Sequence, residues 1–350
     1  MNDILENVKE YYGKVLHSAD DLKGKACCCS PDAISGEVRE AIALIDDEIK
    51  SRYYGCGSPL PPLLDGLTIL DLGCGSGLDV YVAAKLAGEH GRVIGVDMTQ
   101  EQLDVALKYE DMQRLRFGYS KSNVRFINGY IEDLRSAGIE DNSIDVVISN
   151  CVINLSPYKD KVFSEIWRVL KPGGELYFSD VFADRRIPEH IANDPVLHCE
   201  CIGGALYCED FRRMMARTGF TDFRYKTSRA LELGNEAIIA KVGFANFMER
   251  TVRAFKLDDL EDICEDYGQV AVYNGGIPGS PHFFELDDHH RFFTGKPLLV
   301  CGNTASMLSR TRFAPAFKII GDRSVHFGAF EGCGASFKTD DENIGGSCCC

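Results

Sequence analysis

Five short apolar runs recur through the first half of the chain, each bounded by glycine, proline or polar clusters. They are "LTILDLG" (67–73), "RVIGVDM" (92–98), "NVRFING" (123–129), "IDVVISNCVIN" (144–154) and "GELYFSDVF" (174–182). Runs that are apolar at successive rather than alternate positions are expected of strands covered on both faces. The intervals between them carry helical patterns, at 100–114 and 158–170, and a further helix is expected at 209–220. Strand alternating with helix predicts an α/β fold, a Rossmann-like, doubly wound parallel sheet. Upstream, Ser35 stands as an N-cap, and Val38, Ile42, Ile45 and Ile49 follow at helical spacing, with Asp46, Asp47 and Lys50 outward. Gly55, Gly57, Pro59, Pro61 and Pro62 then predict a loop. After residue 220 the pattern turns strand-rich, with turn signals at "YNGGIPGSP" (273–281) and "FTGKP" (293–297). The predicted organisation is a helical cap and cysteine loop (1–66), the sheet domain (67–220), a smaller C-terminal α+β domain (221–340) and a flexible tail (341–350). A lid is expected at about 184–208, inside the sheet domain.

Candidate chemistry begins in "LDLGCGSGLD". Asp71, Gly73, Cys74, Gly75 and Gly77 fall between a strand and a helix, where glycine permits a sharp turn and close approach of a ligand to the backbone. Cys74 reads there as a small residue. Asp97 closes the next strand, followed by Met98, where a carboxylate can accept both ribose hydroxyls of an adenosine. The spacing is G-x-G-x-G with an acid ahead of it, which suits the zwitterionic end of S-adenosylmethionine better than a dinucleotide pyrophosphate. Tyr130, Ile131 and Glu132 in "NGYIEDL" are placed to frame the adenine, and Asn150 ends strand four at the carboxyl edge of the sheet. Tyr53 or Tyr54 offers an aromatic ring to a sulfonium, or packs in the core.

Composition narrows the partners. Lys and Arg total 38 and Asp and Glu 53, a net charge of −15 that opposes nucleic acid and anionic membrane surfaces. No apolar run approaches the roughly 20 residues of a spanning helix, and "MNDILENVKEYYGKV" is too charged for a signal peptide. The 15 cysteines are odd in number and lack an export signal, so reduced thiols in the cytoplasm are expected. Cys264 and Cys301 read as core thiols, and the triplets at 27–29 and 348–350 do not. C-x-x-C pairs are lacking, which argues against a structural zinc site. The histidines form no obvious ligand set, and His289 and His290 read as loop surface. Three thiols can reach a cofactor's methyl group: Cys151 at the end of strand four, Cys56 in the loop before strand one, and Cys201 on the lid.

The combination "RYYGCG", "LDLGCGSG", "SNCVINL", "GGELYFSD", "CIGGALY" and "YNGGI", with the class I methyltransferase pattern around it, resembles the arsenite methyltransferases. The resemblance runs from about Cys27 to about Cys333. It implies methyl transfer from S-adenosylmethionine to trivalent arsenic held by Cys56, Cys151 and Cys201, with arsenite, its thiol conjugates and methylarsenite as substrates. It also implies a fourth cysteine in thiol–disulfide steps, placed at Cys27 with Cys28 and Cys29 adjacent, and a reductant such as glutathione or thioredoxin. Oxidation of a Cys27 and Cys56 thiol pair to a disulfide would supply two electrons. Exposure of Cys56 in its loop would help capture arsenic from a carrier thiol. Glu200 either takes up a thiol proton or faces solvent, and Cys199 and Cys208 have no assigned role. The 348–350 triplet is either a metalloid-collecting tail or idle. A monomer is expected. The competing readings are a methyltransferase for another small acceptor and a non-catalytic metalloid-binding protein.

Overall fold

The computed structural model describes residues 2–16, 35–233 and 236–331. Cys27, its neighbours and the 348–350 triplet lie outside these residues. The central sheet uses β1 (Thr68–Leu72), β2 (Arg92–Asp97), β3 (Val124–Asn128), β4 (Ile144–Asn150), β5 (Leu170–Ala183), β6 (Leu206–Tyr207), β7 (Phe223–Ala230) and β8 (Phe247–Phe255). Its order is β3-β2-β1-β4-β5-β8-β7, with β6 paired to the end of β5. Strands β1 to β5 run parallel, and β8 returns antiparallel against both β5 and β7.

Two-sided burial explains the strand signals. In β1, Ile69 packs into one layer with Val80, Ala83 and Ala84 of the helix Leu78–Ala87. Its neighbours Leu70 and Leu72 pack into the other, with Phe163 and Ile166 of the helix Lys159–Val169 and Phe211 of the helix Cys208–Thr218. Successive side chains leave opposite faces, so both must be apolar.

Three expectations need correction. The boundary at residue 220 does not hold, because β7 and β8 extend the central sheet rather than open a new unit. The separate core forms later, from Phe255, Leu257, Tyr273, Phe284, Phe292, Met307 and Phe313. Around it lie β9 (Glu265–Asp266), β10 (Gln269–Tyr273), β11 (Phe283–Glu285), β12 (Arg291–Phe293), β13 (Pro297–Val300), β14 (Phe317–Ile320), β15 (Gly328–Ala329) and the helix Gly302–Ser309. The helix expected from Ser35 is capped as predicted, with Ser35 Oγ accepting from Val38 N at 3.3 Å. It then breaks into Gly36–Ala43 and Asp47–Ser51, because Asp46 caps the second piece by accepting from Glu48 N at 3.1 Å. His290 is buried and sits 2.8 Å from Asp287, not on the loop surface.

One carboxylate joins the C-terminal unit to the sheet. Glu175 on β5 is fully buried; it pairs with Arg253 of β8 at 2.5 Å and with Arg312. Arg253 also donates to the Leu286 carbonyl, and Arg312 to the Pro62 carbonyl at 3.0 Å. Removing the acid would leave two guanidinium groups buried without it. Glu175→Ala is expected to lower the unfolding free energy by about 3–5 kcal/mol. Glu209→Ala, which breaks an exposed pair with Arg212 at 2.9 Å, is expected to cost about 0–1 kcal/mol. Urea unfolding of the two variants checks this, and equal losses would contradict it.

Candidate active site

The carboxyl ends of β1 and β4 adjoin where the chain order of the sheet reverses, which is where open α/β sheets leave a crevice. An open cleft lies there. Asp71, Gly73, Cys74, Gly75, Asp97, Met98, Ile131, Glu132, Asn150 and Tyr54 line it, as expected of a cofactor cleft. Tyr130 is instead exposed, and Gly77 caps the helix Leu78–Ala87 with φ +90°. Neither is among the lining residues.

The cleft is acidic at its base. Asp97 accepts from Gly75 N and Thr99 N, both at 2.8 Å, which pins the glycine loop to the end of β2. A carboxylate has further lone pairs for ribose hydroxyls. Burial raises Asp71 well above the usual carboxylate range, and the charges of Asp79 and Asp97 add to that. Asp79 is pushed up to about 6 by burial, against hydrogen bonds from Asn150 and Tyr53. Three acids crowded away from water favour a cationic ligand. A Cβ on Gly75 would meet nothing within 4 Å, so backbone and acids together leave room for the aminoacyl end of S-adenosylmethionine. The residues present fit that cofactor. Cys74 is buried, with its thiol raised, and stays a small neutral residue.

Asn150 does more than line the cleft. Its Oδ1 accepts from Cys56 N at 3.0 Å and Gly57 N at 3.1 Å. Its Nδ2 donates to Gly57 O at 2.8 Å, to Asp79 at 3.1 Å and to the Tyr53 hydroxyl. The "YYGCG" loop is thus folded onto the end of β4. Glycine on both sides of Cys56 is required by proximity. A Cβ at Gly55 would sit 2.5 Å from Asn150, and one at Gly57 2.5 Å from Ser179.

The predicted thiols come together. Cys56 and Cys151 form a disulfide, with Cα atoms 5.9 Å apart. Cys201 Sγ donates to Cys151 O at 3.1 Å, and the Cys151, Cys201 and Asp180 ligand atoms all lie within 4.8 Å of one another. Cys56 is buried rather than loop-exposed, and it is not a free thiol. The expectation of reduced cysteines fails at this pair because two distant segments bring the sulfurs into bonding contact. Cys151 (φ +56°) and Cys201 (φ +63°) both adopt the left-handed region. For a residue with a side chain this conformation is disfavoured, and it concentrates at functional sites.

Several neighbours were given no firm role by the sequence, although Asp180 ends the "GGELYFSD" motif. Asp180 is buried and pushed up to about 7, despite N–H donors from Val181 and Asn154. Lys159 is brought down to about 8 by burial, opposed by Asp180. Glu200 is buried, and Tyr11 donates to it at 2.9 Å. Tyr12 donates to Cys199 O at 2.8 Å, accepts from Gln102 at 2.8 Å through its carbonyl and stacks edge-on against Tyr54. The N-terminal π-helical turn Tyr11–Val15 therefore joins the cofactor cleft to the lid. The adjacent tyrosines of "EYYG" were the sole sequence signal for it. Cys199 is raised to about 11 by burial, and Cys208 is raised as well.

Comparison with known proteins agrees with this geometry. Residues 63–219 match a model described as a methyltransferase domain, and residues 267–343 one described as the arsenite methyltransferase C-terminal domain. An arsenite methyltransferase of Aquipseudomonas alcaligenes is 52% identical over 98% of this chain and 99% of its own. The chain belongs to the arsenite methyltransferase family. A human arsenite methyltransferase is 41% identical, over 91% of this chain and 84% of its own. The crystal structure of CrArsM, an arsenic (III) S-adenosylmethionine methyltransferase from Chlamydomonas reinhardtii, superposes with a TM-score of 0.83 at 53% identity. That match covers 85% of this chain and 100% of CrArsM.

The acidic base sets a pH dependence. A cationic ligand favours the ionised form of Asp79, so affinity for S-adenosylmethionine should rise as pH rises through about 6. In the ligand-free protein the sign is opposite, because the raised carboxyl costs stability as it ionises in the fold. Asp79→Asn should weaken binding and flatten the rise. Calorimetric titration from pH 5 to pH 8 checks this, and an unchanged slope in the variant would contradict it.

Proposed function

We propose that the protein is an arsenite methyltransferase in which Cys56, Cys151 and Cys201 hold trivalent arsenic beside S-adenosylmethionine. The observation that carries this reading is the convergence of three cysteines, from a loop, a strand end and a lid, at the rim of a carboxylate-lined cleft. Bound there, S-adenosylmethionine supplies an electrophilic methyl group on a sulfonium. Asp71, Asp79 and Asp97 hold its cationic and ribose portions, and Tyr54 and Met98 line its path.

The Cys56–Cys151 disulfide must first take two electrons and two protons, from glutathione or a thioredoxin, to give two thiols. Arsenite then exchanges its three hydroxyls for three sulfurs, releasing three waters. Soft trivalent arsenic prefers thiolates, and Asp180 relays the Cys201 proton to a departing hydroxyl, which leaves as water. Three sulfurs leave the arsenic lone pair free. Held in this way, the lone pair would accept the methyl group that bound S-adenosylmethionine would supply, the bonding electrons staying with the cofactor's sulfur. The arsenic becomes formally pentavalent. Closing Cys56 with Cys151 would return two electrons to it, so this pair competes with the Cys27–Cys56 pairing as the internal reductant. Among the described residues the other cysteines are not disulfide-bonded, which suits a cytoplasmic setting, and a monomer supplies every group named.

Cys151→Ser and Cys201→Ser should each reduce labelled methyl transfer to arsenite by about 100-fold or more, with S-adenosylmethionine affinity nearly unchanged. Full activity in Cys201→Ser would remove that thiol from the site. Asp180→Asn should slow arsenite loading and abolish its rise with pH near about 7. Stopped-flow binding at several pH values checks this, and an unaltered profile would count against Asp180 as proton acceptor.

A further inference from the structure

Cys264 and Cys301 lie outside the cleft, in the C-terminal unit, and the mechanism does not use them. Both are buried, Cys301 completely. Each sulfur is 3.8 Å from the same nitrogen, Nη2 of Arg224, and the two buried thiols pack in one cluster with Phe330. Cys301 caps the helix Gly302–Ser309, its sulfur 3.4 Å from Thr304 N and 3.3 Å from the Thr304 hydroxyl. Arg224 is fixed by Asp222 at 2.7 and 2.9 Å and faces Asp287 at 3.6 Å. It is in register with Arg253 on β8 and, beyond it, Tyr177 on β5, so the thiols lie two strands across the sheet from β5 and its Asp180.

Ordinary buried thiols behave differently. Burial raises Cys74, Cys199 and Cys208, whereas Cys301 is held down to about 5 by the neighbouring Cys264 thiol, Arg224 and Thr304. A thiolate beside a second thiol is a nucleophilic pair, not packing.

We propose that Cys264 and Cys301 form a second thiol site that binds a monosubstituted trivalent arsenical by bridging its arsenic between the two sulfurs. The chemistry selects this class. Two sulfurs match the two exchangeable hydroxyls of R–As(OH)2, and the third position on arsenic stays with carbon. Two As–S bonds form, two As–O bonds break and two waters leave, one completed by the Cys264 proton and one by a proton from solvent, with no change of oxidation state. Arg224 opposes a divalent cation but not this neutral ligand. Among the described residues, no third metal-ligating side chain joins the pair. Phe330 packs on the two thiols and offers an apolar wall to the organic substituent. Entry requires only a short segment to lift: β15 spans two residues, and Phe327 N and Phe330 N donate to Asp266 O and Cys264 O at 2.8 Å. Under the proposed function, methylarsenite, the product of one transfer, belongs to this class.

The test uses the reduced full-length protein and phenylarsine oxide, so it does not depend on methyl transfer. Arsenic bound per chain is measured after gel filtration for wild type, Cys264→Ser, Cys301→Ser, the double variant and Cys208→Ser. Each single variant should lose one arsenic equivalent, the double variant no more than either, and Cys208→Ser none. An unchanged count in Cys264→Ser or Cys301→Ser overturns the proposal. Anomalous diffraction from wild-type crystals soaked in phenylarsine oxide guards against variants that fail to fold. Arsenic bonded to both sulfurs supports the site, and arsenic at other thiols with none here overturns it. Cys151→Ser should retain this equivalent while losing methylation, which separates failure of this site from failure of the catalytic reading.

Discussion

The side-chain amide of Asn150 is the hinge pin of the candidate site. It stands at the end of β4, where the strand gives way to Cys151, and its two polar atoms gather three segments. The carbonyl takes the N–H groups of Cys56 and Gly57, and the amide nitrogen reaches Asp79 at the base of the cleft. Without that fork the cysteine loop would lack a fixed position over the strand end. The glycines beside Cys56 follow from the same constraint, since any side chain there would collide with Asn150 or Ser179.

Cofactor cleft and thiol cluster share one sheet edge because parallel strands deliver their carboxyl ends together. Asn150 and Ser179 are register partners on β4 and β5, which brings the following residues, Cys151 and Asp180, side by side. The lid then adds Cys201 to them. The N-terminal turn closes the arrangement from above, touching Gln102 on one side and the Cys199–Glu200 backbone and side chain on the other.

The C-terminal unit is attached through buried charge. Glu175 links β5 to Arg253 and Arg312, and Arg224 on β7 meets Asp222, Asp287 and the Cys264–Cys301 thiols nearby. Such groups are costly to bury singly and stable only as sets. They therefore hold the second unit to the sheet in one arrangement and leave a polarised thiol pair at the junction.

The apolar runs, the glycine loop and the position of Asp97 were determined by sequence alone. Each rests on local periodicity or spacing: strands buried on both faces must be apolar throughout, and a ligand-approaching turn must lack side chains. The three cysteines of the candidate site were also legible, through the motifs that surround them. Only the tertiary structure decided where the sheet ends, because "FRYKTSRA" in β7 is half polar and becomes a strand only by pairing with β8. It also decided that Cys56 and Cys151 meet in a disulfide, that Asp79 and Asp180 hold raised pKa values, and that Cys264 and Cys301 share one arginine. Those properties depend on burial and on partners far away in the chain, and neither is encoded at a single position or a fixed spacing.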